Sequence, residues 1–184
     1  MEVSSYLLGD LGTLLDPLAP SEVVERLKEL GPPQEILLTN RHHWRSCEEL
    51  VAEFRCTVRA PRVGMHELSD KAVEPYEFGD ALAGGTITVH EVGAICPDES
   101  ALHIPSLNAL AVADGVINYD GLRFVPDNLM DEPEDTKRAL KDSYARLAQE
   151  LEFDHLLTAH GPPVIDGARE ALEQFAHDGG DSDG

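Results

Sequence analysis

Three stretches of this chain carry residues suited to chemistry, and they lie far apart in sequence. One is the polar loop Asn40-Arg41-His42-His43-Trp44-Arg45, the second is Asp114, and the third is His160. The loop follows Glu35-Ile36-Leu37-Leu38-Thr39, a short apolar run that reads as a strand covered on both faces. After it, Ser46-Cys47-Glu48-Glu49 reads as a capping box, and Leu50, Val51 and Phe54 as the buried stripe of a helix. Such a unit leaves the loop at the carboxyl end of its strand, where α/β proteins usually keep their sites. Asp114 interrupts the apolar run from Ala109 to Val116. A carboxylate there needs a partner, because an unpaired buried charge is costly or is neutralised; the alternative is that Asp114-Gly115 is simply a turn between strands. His160 precedes Gly161-Pro162-Pro163 and either faces a pocket or serves the turn. His42 is either a pocket residue or a loop histidine bonded to backbone, and His43 is expected to be exposed. His90 and His103 lie in strands, where the solvated face is expected. Asp114 and His160 together could perform acid–base chemistry, but no serine or cysteine elbow accompanies them.

Stepping outward along the chain, apolar runs alternate with helical patterns. Ser5-Tyr6-Leu7-Leu8 and Gly12-Thr13-Leu14-Leu15 read as a strand pair ending at Asp16-Pro17, followed by a helix capped by Ser21 with Val23, Val24, Leu27 and Leu30 on one face. Thr57 to Ala60 is another strand, and the segment from Pro61 to Pro75 is irregular. Thr86 to Val92 alternates as an antiparallel strand does, and Ser100 to Ile104 and Leu107 to Val112 add two more. Asp131 to Leu151 reads as the longest helix, Phe153 to Thr158 as a final strand and Asp166 to Ala176 as a final helix. This order suits two mixed sheets packed face to face, with helices outside, better than one doubly wound sheet. The expected class is therefore α/β (α+β), a four-layer αββα sandwich. No glycine-rich phosphate loop follows a strand, which removes the main support for a nucleotide fold.

Composition narrows the partners. The 184 residues carry a net charge of −21, from 35 acidic against 14 basic side chains. A field of that sign repels phosphate, so neither nucleic acid nor an anionic membrane is an expected partner, whereas a small molecule is compatible. Cys47, Cys56 and Cys96 are an odd set without close pairs, expected to be packed thiols in a reducing, cytoplasmic compartment. Residues 1–176 are expected to form one domain, and the acidic tail 177–184 to be disordered.

In this order the phrases SYLLGDLGTLLDP, ILLTNRHHWRSCEELVAEFRCTVRA, FGDALAGGTITVHEVG, LAVADGVI and LLTAHGPP resemble the successive motifs of the metallo-β-lactamase superfamily, over about Ser5 to Phe175. That resemblance implies the αββα sandwich and a place for two metal ions. It also implies that the ion-binding set is degenerate. The family loop Thr-His-x-His-x-Asp-His, laid on Thr39, puts Asn40 at the first histidine, His42 at the second, Trp44 at the aspartate and Arg45 at the last. Ala94 stands where the histidine after the middle hairpin belongs. Asp114 matches the bridging aspartate and His160 the last histidine.

The candidate pocket implied is thus Asn40, His42, Trp44, Arg45, Asp114 and His160. The first expectation is a metal-free binding or regulatory module, with Arg45 reaching Asp114 as a permanent cation in the metal's electrostatic place and Trp44 filling vacated volume. The alternative is a hydrolase of esters, thioesters or lactams that uses one zinc, iron or manganese ion at His42, Asp114 and His160 to activate water.

Overall fold

The computed structural model describes residues 2–179. Thirteen strands and four α-helices follow one another among them. Strands β1 (Tyr6–Leu8), β2 (Thr13–Leu15), β3 (Glu35–Leu37), β4 (Thr57–Pro61) and β5 (Glu74–Tyr76) form one sheet in that order. Its first pair is antiparallel and the remaining pairs are parallel. The second sheet holds β6 (Ala81–Leu82), β7 (Ile87–Glu91), β8 (Ser100–Ile104), β9 (Ala109–Val112), β12 (His155–Thr158) and β13 (Val164–Ile165), in the order β13-β12-β9-β8-β7-β6. Only β9 and β12 run parallel there. A small ribbon joins β10 (Ile117–Asn118) to β11 (Leu122–Arg123).

Side chains alternate across a strand, and here the alternation assigns neighbouring residues to different layers. In β2 and β3, Leu14 and Ile36 pack with the outer cluster under α1 (Ser21–Leu30) and α2 (Cys47–Phe54), while Leu15 and Leu37 enter the layer between the sheets. In β9, Leu110 and Val112 face α3 (Pro133–Glu150) and α4 (Ala168–Asp178), and Ala111 faces the inter-sheet layer. Both faces are therefore buried, which is why these strands appear in the sequence as unbroken apolar runs. The four layers are those expected.

Local details differ from expectation. Ser21 is the first residue of α1 rather than its cap, and Pro20 precedes it with no capping side chain. At α2 the capping box does not form, because the Ser46 hydroxyl accepts from Ala19 N–H at 3.0 Å, joining α2 to the segment before α1. Helix α4 runs through Asp178, and residues 180–184 of the expected tail lie outside the described residues. Among the described residues no helix is long and apolar enough to cross a membrane. The three cysteines are free and buried.

Candidate functional site

Four strands end at one edge of the sandwich and hand over to the polar residues. Asp16 follows the end of β2, Thr39 and the polar loop follow β3, Asp114 follows β9, and His160 follows β12. Because β2 runs parallel to β3, and β9 to β12, each pair delivers both its carboxyl ends to the same side.

After β3 the chain forms a 3-10 turn over Arg41–Trp44, with Asn40 as its cap and the Asn40 side chain accepting from His42 N–H. In a 3-10 turn residues three apart lie on one face. Asn40 and His43 therefore point inward together, and His42 points out. His43 is 3% exposed, whereas His42 is an exposed residue. This reverses both sequence expectations: His42 is not in the pocket, and His43, expected outside, is.

His43 is held at both nitrogens. Its Nδ1 lies 3.1 Å from Asp16 Oδ2 and 3.1 Å from Thr39 Oγ1, and its Nε2 lies 3.1 Å from Asp114 Oδ1. Asp16 is itself anchored, accepting from Thr39 N–H at 2.8 Å and from the Thr39 hydroxyl at 2.7 Å. His160 approaches the same Asp114 oxygen, with Nε2 at 3.0 Å, while its Nδ1 donates to the Glu2 carbonyl at 2.9 Å. The other Asp114 oxygen accepts from the Asn40 amide at 2.9 Å. Asp114 is therefore the partnered carboxylate and not merely a turn residue, and the structure brings Asn40, Asp114 and His160 together as expected.

Arg45 and Trp44 do not enter this group. The Arg45 guanidinium donates to the main-chain carbonyl of Asp16 at 2.8 Å, so it braces the β2 end from behind instead of pairing with Asp114. Its backbone sits at φ +34, directed away by the end of the 3-10 turn. Trp44 packs on the outer cluster beneath α2 with Lys71 over its ring. Neither fills volume vacated by a metal. Ala94 packs against the core under α3 and α4. His90 and His103 lie edge to face with each other on β7 and β8, and His103 accepts no role here, its Nε2 bonding to the Glu152 carbonyl.

Two adjacent, fully buried acids hold the site loops together. Asp98 accepts from Arg41 N–H at 2.7 Å and from the Arg41 guanidinium, fixing the loop that carries His43. Glu99 accepts from Gly115 N–H at 2.6 Å, fixing the turn that carries Asp114. Ser100, next in sequence, donates both its N–H and its hydroxyl to the Thr39 carbonyl. Gly64 is required beside them, since a Cβ there would overlap the Asp98 carboxylate.

The charges follow from this packing. Burial alone would keep His43 neutral, but the Asp16 charge and the bonds to Asp114 and Asp16 raise its pKa to about 9. Burial would also raise the Asp114 carboxyl, yet the bonds from His160, His43 and Asn40 hold it well below the usual carboxylate range. Burial, reinforced by the Asp114 charge, pushes Glu99 up to about 7. For His43 the folded value of about 9 exceeds the ordinary 6.5. Its contribution is thus fully present below pH 6.5 and lost as pH rises through 9, whereas that of Asp114 is lost in acid. In metal-stripped protein, urea midpoints should fall between pH 6.5 and 9, and His43→Gln should flatten that slope. A parent midpoint constant across the window would show that His43 is neutral.

Among the described residues, His43, Asp114 and His160 are the one group of three with ligand atoms all within 4.8 Å of one another. The donor set fits an ion. Two imidazole nitrogens and one carboxylate oxygen suit zinc, iron or manganese, and both histidines have an acceptor on Nδ1, the arrangement that orients metal-binding imidazoles.

No protein-family model matches the sequence, and no curated protein does. Solved structures do match. A protein named TTHA1623, solved in a di-iron-bound form, is 21% identical, with a TM-score of 0.68 over 89% of this chain and 88% of that one. A B3 metallo-β-lactamase described as having an active-site glutamic acid is 19% identical, with a TM-score of 0.67 over 96% and 80%. Rubredoxin oxygen:oxidoreductase from Desulfovibrio gigas is 15% identical at a TM-score of 0.66, and 95% of this chain covers 53% of that one. From the strand order, the four layers and these likenesses, this chain has the metallo-β-lactamase fold.

Proposed function

We propose that the chain is a mononuclear metal-dependent hydrolase of carbonyl substrates, of the ester, thioester or lactam kind, with His43, Asp114 and His160 as the metal ligands. One observation carries the reading. Glu2 O can only accept, and Thr39 Oγ1 already donates to Asp16, so Nδ1 of both His160 and His43 must carry the hydrogen. Both Nε2 atoms then turn toward the same anionic oxygen at 3.1 and 3.0 Å. Neutral imidazoles would aim two lone pairs at a carboxylate. The cluster therefore needs either two extra protons or one divalent ion. Two donors about 2.1 Å from one ion and at right angles lie about 3.0 Å apart, which matches these separations.

A bound ion would polarise a carbonyl and lower the pKa of a bound water to about 7. The rest belongs to the chain. Asp16 and the Glu2 carbonyl keep the two imidazoles in the tautomer that presents Nε2. Asn40 donates to the second Asp114 oxygen and so fixes the carboxylate with Oδ1, the oxygen both imidazoles face, toward the place an ion would take. Asp114 and His160 are 21% and 12% exposed, leaving a solvent side by which water and substrate reach the cluster, while His43 stays shielded.

The same separations are also hydrogen-bond distances, and that favours a second reading: a metal-free site in which the two extra protons take the cation's place and the protein binds a ligand without hydrolysing it. Dialysis against chelator-free buffer followed by elemental analysis separates the two. About one equivalent of zinc, iron or manganese is expected to remain, with His43→Ala and His160→Ala each losing it and losing hydrolysis of chromogenic esters, thioesters or lactams. His42→Ala should retain both. Protein that takes up no ion from excess zinc, iron(II) or manganese would remove the hydrolase reading.

A further inference from the structure

We infer that Tyr119 and the main chain of Glu2 form a clamp that positions His160 as an Nε2 ligand, making Tyr119 a positioning residue of a site it does not touch. The inference rests on the metal-centre reading above. It begins with the oxygen that fixes the His160 tautomer, the Glu2 carbonyl, which accepts from Nδ1 at 2.9 Å. That carbonyl belongs to the segment ahead of β1 and is not part of either sheet. A peptide outside a sheet presents its carbonyl in one direction only if something else holds it.

Tyr119 does so at both main-chain polar atoms of Glu2. Its Oη accepts from Glu2 N–H at 2.6 Å and donates to Glu2 O at 3.1 Å. The hydroxyl thus sets the direction in which the Glu2 carbonyl faces the imidazole. Ser4 pins the same segment on the two sides of His160, with its N–H on the Ala159 carbonyl at 2.9 Å and its hydroxyl on the Gly161 carbonyl at 2.5 Å. Tyr119 itself follows β10, whose Asn118 N–H bonds to the His160 carbonyl at 3.0 Å. The clamp and the ligand are therefore registered to each other through two separate connections, one through the ring and one through the backbone. This places the outer partner of one ligand on an arm and that of the other, Asp16, in the buried turn that follows β2. The two imidazoles are not equally secured.

The test uses cobalt(II) as a spectroscopic ion on the full chain. Tyr119→Phe removes one oxygen and should weaken cobalt binding about tenfold, the lower end of what loss of an outer-sphere partner costs. The visible cobalt bands should change shape, and the His160 Nδ1 proton, protected from exchange in the parent, should exchange freely. Ser4→Ala should give the same changes in weaker form, which guards against a fault peculiar to the tyrosine variant. Tyr119→Phe with parental cobalt affinity and bands overturns the clamp, even if its thermal stability falls, because a purely structural tyrosine would show that pattern. A parent that binds no cobalt, zinc or iron overturns the metal-centre reading first, and the clamp with it.

Discussion

Asp16→Ala is expected to destabilise the protein by about 3 to 5 kcal/mol at neutral pH, the cost of removing one partner from a buried ion pair. The Asp16 carboxylate accepts from Thr39 N–H, the Thr39 hydroxyl and His43 Nδ1, and all three residues are buried. Alanine leaves His43 with a single counter-charge and strands an amide and a hydroxyl without water to replace the lost acceptor. Each stranded donor alone costs about 1 to 3 kcal/mol, and the terms overlap because they share one carboxylate. Asp16→Asn keeps one acceptor oxygen but places an amide where His43 needs one, so an intermediate loss is expected. Urea unfolding at pH 7 measures both. If the alanine protein matches the parent, the buried chain from Thr39 through His43 to Asp114 is not what stabilises this edge of the sandwich.

Gly161→Ala is expected to cost about 3 kcal/mol through two separable effects. The residue has φ +83, and a Cβ on it would overlap the Asn118 carbonyl oxygen. Asn118 cannot retreat freely, because its N–H is bonded to the His160 carbonyl and its side chain to the Pro162 carbonyl. Gly84→Ala provides the control. That glycine has φ +68 with nothing within 4 Å of the added Cβ, so it carries the backbone strain alone, about 1 kcal/mol. Thermal unfolding of the two variants side by side reads the difference. Equal losses would mean that the 159–162 loop yields, and that the close approach holding His160 in place is soft.

The sandwich was legible because its signals are redundant. Leu14-Leu15 and Ile36-Leu37-Leu38 can only be buried on both faces if layers lie on both sides, and the structure places them so. Asp114 was legible for the same reason in reverse, as a charge amid Ala109 to Val116 that had to find partners. His43 was not, because its direction depends on a single 3-10 turn. Laying the loop on the family's spacing makes His42 the inward residue, and one residue of register decides which of two adjacent histidines is buried. Asp16 looked like the punctuation of an Asp-Pro turn, and its positive φ of 46 is indeed that of a turn, but its side chain points back to Thr39 and His43. Asp98 and Glu99 carried no sequence signal that distinguishes them from the many surface acids of a chain this acidic. The group that faces Asp114 is not the Arg45 guanidinium, which bonds to the Asp16 carbonyl, but the His43 imidazole, three residues along the turn from Asn40.

The Asp98-Glu99-Ser100 tripeptide has a consequence for time rather than for geometry. Each of its three residues grips a different segment of the rim: the His43 loop through Arg41, the Asp114 turn through Gly115, and the end of β3 through Thr39. Because the grips are consecutive along one stretch of backbone, a fluctuation that withdraws this tripeptide releases all three segments in a single event. Ligands bound at the cluster would accordingly leave by one concerted opening with one rate constant, not by the independent flickering of separate loops.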